Sequence, residues 1–361
     1  MKKLITLTLF LVSFYGFSQI QEVLLYNDWY LVKLEMKDGS KLFMKENNYD
    51  KDKVYTIRKD YYVSRDMSNY YRNLENFKVK YKLNKNKMVT HEETSLTIEK
   101  LTRDSLILSQ NILGNEDKDL ERYYFVPVSR KINAEVEKYK NADTLVASNI
   151  ITPIFNNTFF RRTIRDMESK KDYQKNPIKN YRFNGYIYLN TKEKTINTIL
   201  LDYNPEYTNE INQKLKYINN YKNWNINNLE KYSVIKIPFV FISYYQKKEK
   251  TESWGEIFTL YSVNYDDVFF QDKVSYTQLV TGNEYFGEAM KYYQNKNFPK
   301  AIEYFKKSYT ENYRNLDAYY NYAELNYSTG HKEEACKTWD FLKKEGQKSA
   351  EKDYQLKCLG N

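Results

Sequence analysis

The segment YFGEAMKYYQNKNFPKAIEYF (residues 285–305) returns 34 positions later as YYNYAELNYSTGHKEEACKTW (residues 319–339). Tyr285 matches Tyr319, Ala289 matches Ala323, Ala301 matches Ala335 and Phe305 matches Trp339, each at the offset of 34. A fixed period of this kind marks stacked helical hairpins, because one hairpin cannot bury its apolar face alone. The alanines are expected where two helices approach most closely and a larger side chain would clash. The aromatics are expected to fill the space between successive hairpins. Asn297 and Pro299 start the second helix of the first repeat, since proline is tolerated in a first turn whose N–H groups lack partners. Gly330 marks the equivalent turn of the second repeat.

These residues resemble the tetratricopeptide repeat family over about seventy residues. Two repeats are fewer than the three an independent array needs, so caps are expected. Gln347 to Leu359 reads as a capping helix, with the 251–280 region over the other end. Members of that family bind an extended peptide or a partner helix on a concave face. The resemblance therefore implies Asn283, Tyr292, Asn321 and Tyr322 as protein-binding residues, with packing the competing reading for the tyrosines. Cys336 and Cys358 are the only cysteines in the chain. If Gly346 turns the chain between antiparallel helices, the two lie at nearly the same height. The oxidising conditions met by an exported protein then favour a disulfide over two buried thiols, worth about 3 kcal/mol in the chain-entropy account.

Export is read from the N-terminus: Lys2 and Lys3, an apolar stretch from Leu4 to Phe17, then Gly16 and Ser18 flanking Phe17 ahead of Gln19. This predicts a signal peptide, residues 1–18, cleaved after Ser18. The stretch is shorter than the roughly 20 residues that span a bilayer, which weighs against an uncleaved anchor. No cysteine stands near the cleavage point to carry a lipid, and no later segment is apolar enough to cross a membrane. The expected location is periplasmic or cell envelope, with no transmembrane segment in the mature chain.

A length of 361 residues predicts two or three domains. With 38 Tyr and 19 Phe against 10 Gly and 6 Pro, the chain is poor in residues that build ligand-cradling loops. Cleavage lowers the net charge from +10 by the two lysines removed. The remaining lysines are interleaved with Asp and Glu, as in LNKNKMVTHEETSLTIEK (residues 83–100), which reads as a solvated surface rather than a nucleic-acid site. No nucleic acid is expected as a partner.

Residues 29–128 carry the short runs WYLVKLEM, KVYTIRK, NFKVKYKL, SLTIEKL, DSLILSQ and RYYFVPVS, separated by charged or Asn-rich turns. They read as the strands of an antiparallel meander or small barrel. Residues 19–130 resemble the lipocalin-like domains of exported bacterial proteins, which open on a tryptophan-bearing strand. The resemblance implies an apolar ligand cavity lined by Trp29 with Leu31, or Phe77 with Val79. The alternative is that these side chains fill the core, since a small barrel is just wide enough for its own side chains.

A connector is expected over 131–180, with a helix from Lys131 to Asn141 and a loop around Pro153. Its basic cluster, Arg161, Arg162, Lys170 and Lys171, either meets a phosphate or carboxylate or is solvated. Residues 181–245 open with RFNGYIYLN, turn at TKEK and resume with TINTILLDYNP. Tyr207, Ile211, Leu215 and Ile218 then lay one apolar stripe along Glu206 to Tyr221, predicting a helix. Trp224 and the strand YSVIKIPFVFIS follow. FNGYIYL, TINTILLDY, NWN and KIPFVF together resemble the C-terminal domain of TonB-type energy transducers. The resemblance implies capture of an outer-membrane receptor segment by strand addition, at Ser233 to Ser243. Two features depart from that family: there is no proline-rich spacer, and Asn225 and Ile226 follow the tryptophan where the family has proline. Pro238 lacks a donor N–H and suits an edge strand or a bulge. Residues 246–281 form a second connector with a strand-like run, EIFTLYSVNY, before the repeats and capping helix of 282–361.

Catalytic signatures are missing. His91 and His331 are far apart in the chain, and HExxH, CxxC, GxGxxG and GxSxG do not occur. GNEYFGE (residues 282–288) lacks the lysine and hydroxyl of a phosphate loop. Asp266 and Asp267 read as surface acids. No catalytic residue, metal site or cofactor is expected. The expected fold is multidomain α+β: a β-rich meander or barrel, a small α+β domain and C-terminal all-α helical repeats. The expected role is an exported, non-catalytic adaptor for a protein partner, an outer-membrane receptor or envelope complex, with carriage of an apolar ligand as the alternative.

Overall fold

A computed structural model describes residues 22–43, 52–71, 78–156, 162–166, 179–247, 251–265 and 276–360. Residues 1–18, expected as a signal peptide, and Phe77, Arg161, Lys170, Lys171, Asp266 and Asp267 lie outside the described residues, and Arg162 is described through its backbone alone. The protein is multidomain α+β and divides into two compact units. One unit comprises Met1–Asp66, Leu74–Val128 and Asp272–Asn361; the other comprises Met67–Asn73 and Ser129–Gln271.

The first unit begins with a short helix α1 (Glu22–Leu25) and nine strands: β1 (Asp28–Met36), β2 (Lys53–Ile57), β3 (Tyr61–Asp66), β4 (Val79–Lys80), β5 (Lys82–Asn84), β6 (Lys87–His91), β7 (Thr94–Leu101), β8 (Leu106–Ile112) and β9 (Glu121–Pro127). Their order in the sheet is β4-β3-β2-β1-β9-β8-β7-β6-β5. The two end strands are halves of one stretch interrupted only at the buried Tyr81, so the sheet all but closes on itself as a barrel. β9 shows the period of two that such a sheet needs, with Tyr123, Phe125 and Pro127 buried between half-buried neighbours. The interior is filled. Trp29, Leu31, Ile57, Met88, Leu106, Leu108 and Phe125 form one cluster, and the Tyr55 ring lies 4.9 Å from Phe125 and 5.9 Å from Tyr62. Val79 is 38% exposed and takes no part in it.

The second unit contains helix α2 (Val128–Glu137, whose first residue belongs to the barrel unit), then β10 (Thr144–Val146), β11 (Ile154–Phe155), β12 (Arg162–Asp166), β13 (Tyr181–Asn190), β14 (Thr195–Tyr203), helix α3 (Thr208–Ile218), β15 (Trp224–Asn225), β16 (Val234–Lys247) and β17 (Thr251–Leu260). Strand, strand, helix, strand follow in the expected order from β13 to β16. Trp224 closes the helix: its indole N–H donates to the Ile218 carbonyl at 2.8 Å, and its ring lies 4.5 Å from Phe155. The main sheet runs β12-β17-β16-β13-β14, with β10 pairing in parallel with β16. EIFTLYSVNY thus begins within β17, a full member of this sheet.

That order corrects the strand-addition expectation. All of Ser233 to Ser243 but its first residue lies in β16, where this run is flanked by β13 on one side and by β10 and then β17 on the other. It has no free edge to offer. Pro238 is tolerated there for a specific reason. β10 reaches Lys236 and β17 begins at Phe239, so the missing N–H falls in the seam between them. The open edge on this side of the sheet is β14, where a bulge brings the Ile199 carbonyl to 2.1 Å from where a Cβ on Gly185 would sit.

The first unit ends with helices α4 (Tyr276–Gln294), α5 (Phe298–Glu311), α6 (Leu316–Ser328), α7 (Lys332–Lys344) and α8 (Lys348–Asp353), the last continuing as a wider turn over Tyr354–Leu359. α4 with α5 and α6 with α7 form two antiparallel hairpins. Ala289, Ala301, Ala323 and Ala335 are each fully buried, as are Phe305 and Trp339. Asn297 caps α5, its side chain accepting from Lys300 N–H, with Pro299 in the first turn. Cys336 on α7 and Cys358 beyond α8 are bonded, their Cα atoms 5.8 Å apart.

Candidate binding surfaces

The residues singled out as a peptide-binding face divide between surface and core. Asn283 is exposed on α4 and Tyr292 is half-buried nine positions on. Asn321 is half-buried and donates to the Asp317 carbonyl of its own helix at 2.8 Å. Tyr322 is core: it is 5% exposed and packs edge-on against Tyr309.

A surface that the sequence did not disclose lies on the second hairpin. The β1–β2 connection leaves the barrel and lays Ser40 to Phe43 against it. Lys41 N–H donates to the Gly346 carbonyl (3.1 Å), Gln347 Nε2 donates to the Lys41 carbonyl (2.9 Å), and Lys348 N–H donates to Ser40 Oγ (2.9 Å). The Phe43 ring sits 5.6 Å from Tyr319 and 6.5 Å from Phe341. Gly346 is required twice over: its φ is +83°, and a Cβ there would meet the Lys41 side chain at 2.7 Å. Burial pushes the Tyr319 phenol up to about 12.

Shifting that contact back by 34 residues maps Tyr319 onto Tyr285, Phe341 onto Lys307 and Gly346 onto Asn312. On the first hairpin the corresponding surface is aromatic and cationic. Tyr304 lies 6.0 Å from Tyr285 and 5.2 Å from Tyr292. Lys307 stands 4.6 Å over Tyr304 and 6.0 Å over Tyr285, and Lys300 stands 5.2 Å over Tyr292. Lys307 also pairs with Glu303 at 2.6 Å and holds that carboxyl below its usual range.

The second unit carries a cleft of about 670 Å³ at the end of its open edge. β13 pairs with β16 from Tyr181 onward but with β14 only from Phe183, opposite Tyr203. Past Tyr203 the chain turns away, with the Asn204 side chain accepting from Glu206 N–H. The sheet edge therefore steps inward, leaving Tyr181 and Arg182 with a strand neighbour on one side only among the described residues. On one face of the step the Tyr181 and Tyr207 rings stack at 5.4 Å, and burial raises the Tyr181 phenol above its ordinary value. On the other face the Arg182 guanidinium lies 4.3 Å over the Tyr265 ring. The Tyr265 hydroxyl donates to the Asp202 carbonyl at 3.5 Å, and its phenol too is raised by burial. The segment bearing Tyr265 is tied down by Asn184, whose amide donates to the Val263 carbonyl at 2.6 Å. Among the described residues neither Arg182 nor Asp202 joins an ion pair.

A single motif could not have found this cleft, because it arises from two strands of unequal reach; Tyr181 just ahead of RFNGYIYLN and the tyrosines that end TINTILLDYNPEY were its sequence trace. Among the described residues no group of three or more His, Cys, Asp or Glu is placed to hold a metal, and no helix is long and apolar enough to cross a membrane. No protein-family model matches the chain, and no curated protein matches it.

Proposed function

We propose that this chain is an exported, non-catalytic adaptor of the bacterial cell envelope that binds a protein partner through its C-terminal hairpins, which we read as tetratricopeptide repeats. The observation that carries the reading is the contact the chain makes with itself. The second hairpin holds an extended segment, Ser40 to Phe43, by main-chain hydrogen bonds and one aromatic anchor. The first hairpin repeats the same scaffold with no such segment laid on it among the described residues and its wall exchanged for Lys307. An extended partner segment with an aromatic anchor beside a carboxylate matches that surface, the ring against Tyr285 and Tyr304 and the acid on Lys307. Export agrees with the signal-like N-terminus and with the disulfide, a bond that persists in oxidising compartments. The lipocalin-like and TonB-like resemblances enter this reading as scaffolds. Trp29 and Leu31, two of the side chains that would line a ligand cavity, are packed into the barrel core, which favours adaptor over carrier.

The test is a photo-crosslinking amino acid at position 285 in the full chain, irradiated in envelope extracts. A discrete adduct that disappears on Lys307→Glu supports the reading. Adducts indifferent to that change, or none, overturn it. Deleting the barrel is the wrong control, because it would strip Phe43 from the second hairpin and unfold what is being tested.

A further inference from the structure

The stepped edge of the second unit carries an inference separate from the hairpins. An extended chain entering the step meets three things at once. The first is backbone: Tyr181 and Arg182 have lost β14 as a neighbour and, among the described residues, present a short unpaired edge in line with β14. The second is an aromatic wall on one face, Tyr181 stacked on Tyr207 with the 45% exposed Tyr203 beside them. The third is a donor and an acceptor on the opposite face, the Arg182 guanidinium and the Asp202 carboxylate, both in the cleft lining and neither in an ion pair among the described residues. Successive side chains of an extended peptide point to opposite faces. The cleft is thus apolar where one residue would point and hydrogen-bonding where the next would.

We propose that this step is a docking site for an extended peptide in which an aromatic or large aliphatic residue alternates with asparagine or glutamine. The peptide continues the line of β14 and pairs with the edge of Tyr181 and Arg182. Its apolar side chain lies on the Tyr181 and Tyr207 rings. The following amide accepts from Arg182 through its oxygen and donates to Asp202 through its nitrogen, so one neutral group satisfies both charges. A carboxylate would face Asp202, and an ammonium would face Arg182, so each is disfavoured at that position.

A direct probe is a fluorescein-labelled peptide, Ser-Phe-Asn-Phe-Asn-Ser, against its reordered control, Ser-Phe-Phe-Asn-Asn-Ser, with binding to the full chain read by fluorescence anisotropy. The alternating peptide is expected to bind about tenfold tighter, since only it can place both side-chain types correctly. Arg182→Ala, an exposed substitution, and Tyr207→Ala should each weaken it by about tenfold. Tyr285→Ala on the first hairpin should leave it unchanged, so failure here and failure of the hairpin reading stay distinguishable. Circular dichroism establishes that each variant is folded, and Arg182→Ala decides if Tyr207→Ala is not. Equal binding of the two peptides, no binding of either, or alternating binding untouched by Arg182→Ala overturns the proposal. So does displacement of the peptide by Tyr285→Ala alone.

Discussion

The two C-terminal hairpins share one repeat and differ in what surrounds it. Both bury a pair of alanines completely and one large aromatic ring, Phe305 in the first and Trp339 in the second. The second is then secured twice, by the Cys336–Cys358 bond and by the Ser40–Phe43 segment of the barrel. The first carries tyrosines and lysines on the matching surface. The shared positions make the fold, and the unshared ones distinguish the hairpins: one is committed within the chain, while the other is the one we propose for a partner.

The strongest way to break this symmetry is to empty the space the repeat exists to fill. Trp339→Ala should cost about 4 kcal/mol, transfer and cavity combined, because the ring is fully buried against Tyr327 at 5.5 Å. Phe305→Ala should cost a similar amount in the first hairpin. Chemical denaturation of the full chain measures both. If Trp339→Ala leaves stability within the ordinary surface range, the equivalence of the hairpins is lost. Next comes the staple. Replacing Cys336 and Cys358 together with serine should cost about 3 kcal/mol through the entropy regained by the unfolded chain. A reducing agent should lower the melting temperature of the native chain and not that of the double variant.

How much of this was legible in the sequence differs from element to element. The hairpins could be read because a repeat compares a sequence with itself. Ala289 and Ala323, or Phe305 and Trp339, report on each other, and their burial follows from period alone. The disulfide followed from the same register once Gly346 was taken as the turn. The helix α3 and the order of β13, β14 and β16 could be read because periodicity is local. What could not be read is who neighbours whom at long range. β16 looked available for strand addition because nothing in YSVIKIPFVFIS says that β10 and β17 will divide its far side between them. Pro238 looked like an edge residue because the seam that excuses it exists only once both strands are placed. The contact of Lys41 with Gln347 spans 306 residues, and its only local trace is the turn at Asp38 and Gly39. The stepped edge is invisible for the same reason, being a difference between two pairings and not a property of any one segment.

A smaller perturbation sharpens the comparison by releasing the second hairpin. Phe43→Ala removes a half-buried ring that meets Tyr319 and Phe341 but leaves the main-chain hydrogen bonds of Lys41 and Gln347 in place. The expected cost is about 1–2 kcal/mol. Amide exchange should quicken around Tyr319, Phe341 and Gly346 and stay unchanged around Tyr285. Uniform quickening of both hairpins would mean that they open as one body and that the segment stabilises the array as a whole.

The smallest change should make one hairpin imitate the other. Lys307 occupies the position that Phe341 holds in the second hairpin, and it is the substitution that most alters the character of the surface. Lys307→Phe exchanges an exposed cation for a ring that can lie on Tyr304 and Tyr285, so the melting temperature should hardly move. Specificity should move instead. A synthetic peptide copying Lys37 to Phe43 brings its own lysine and phenylalanine. Against the native first hairpin its Phe43 meets Lys307, whereas in the variant Phe43 gains the aromatic wall that it has in the second. Affinity for that peptide should rise several-fold and at most about tenfold, the worth of one aromatic pair. Titration calorimetry on the full chain reads the change directly. No gain would mean that the groove is set by the turn at Gly346, which Asn312 replaces in the first hairpin, and not by the residue on the wall.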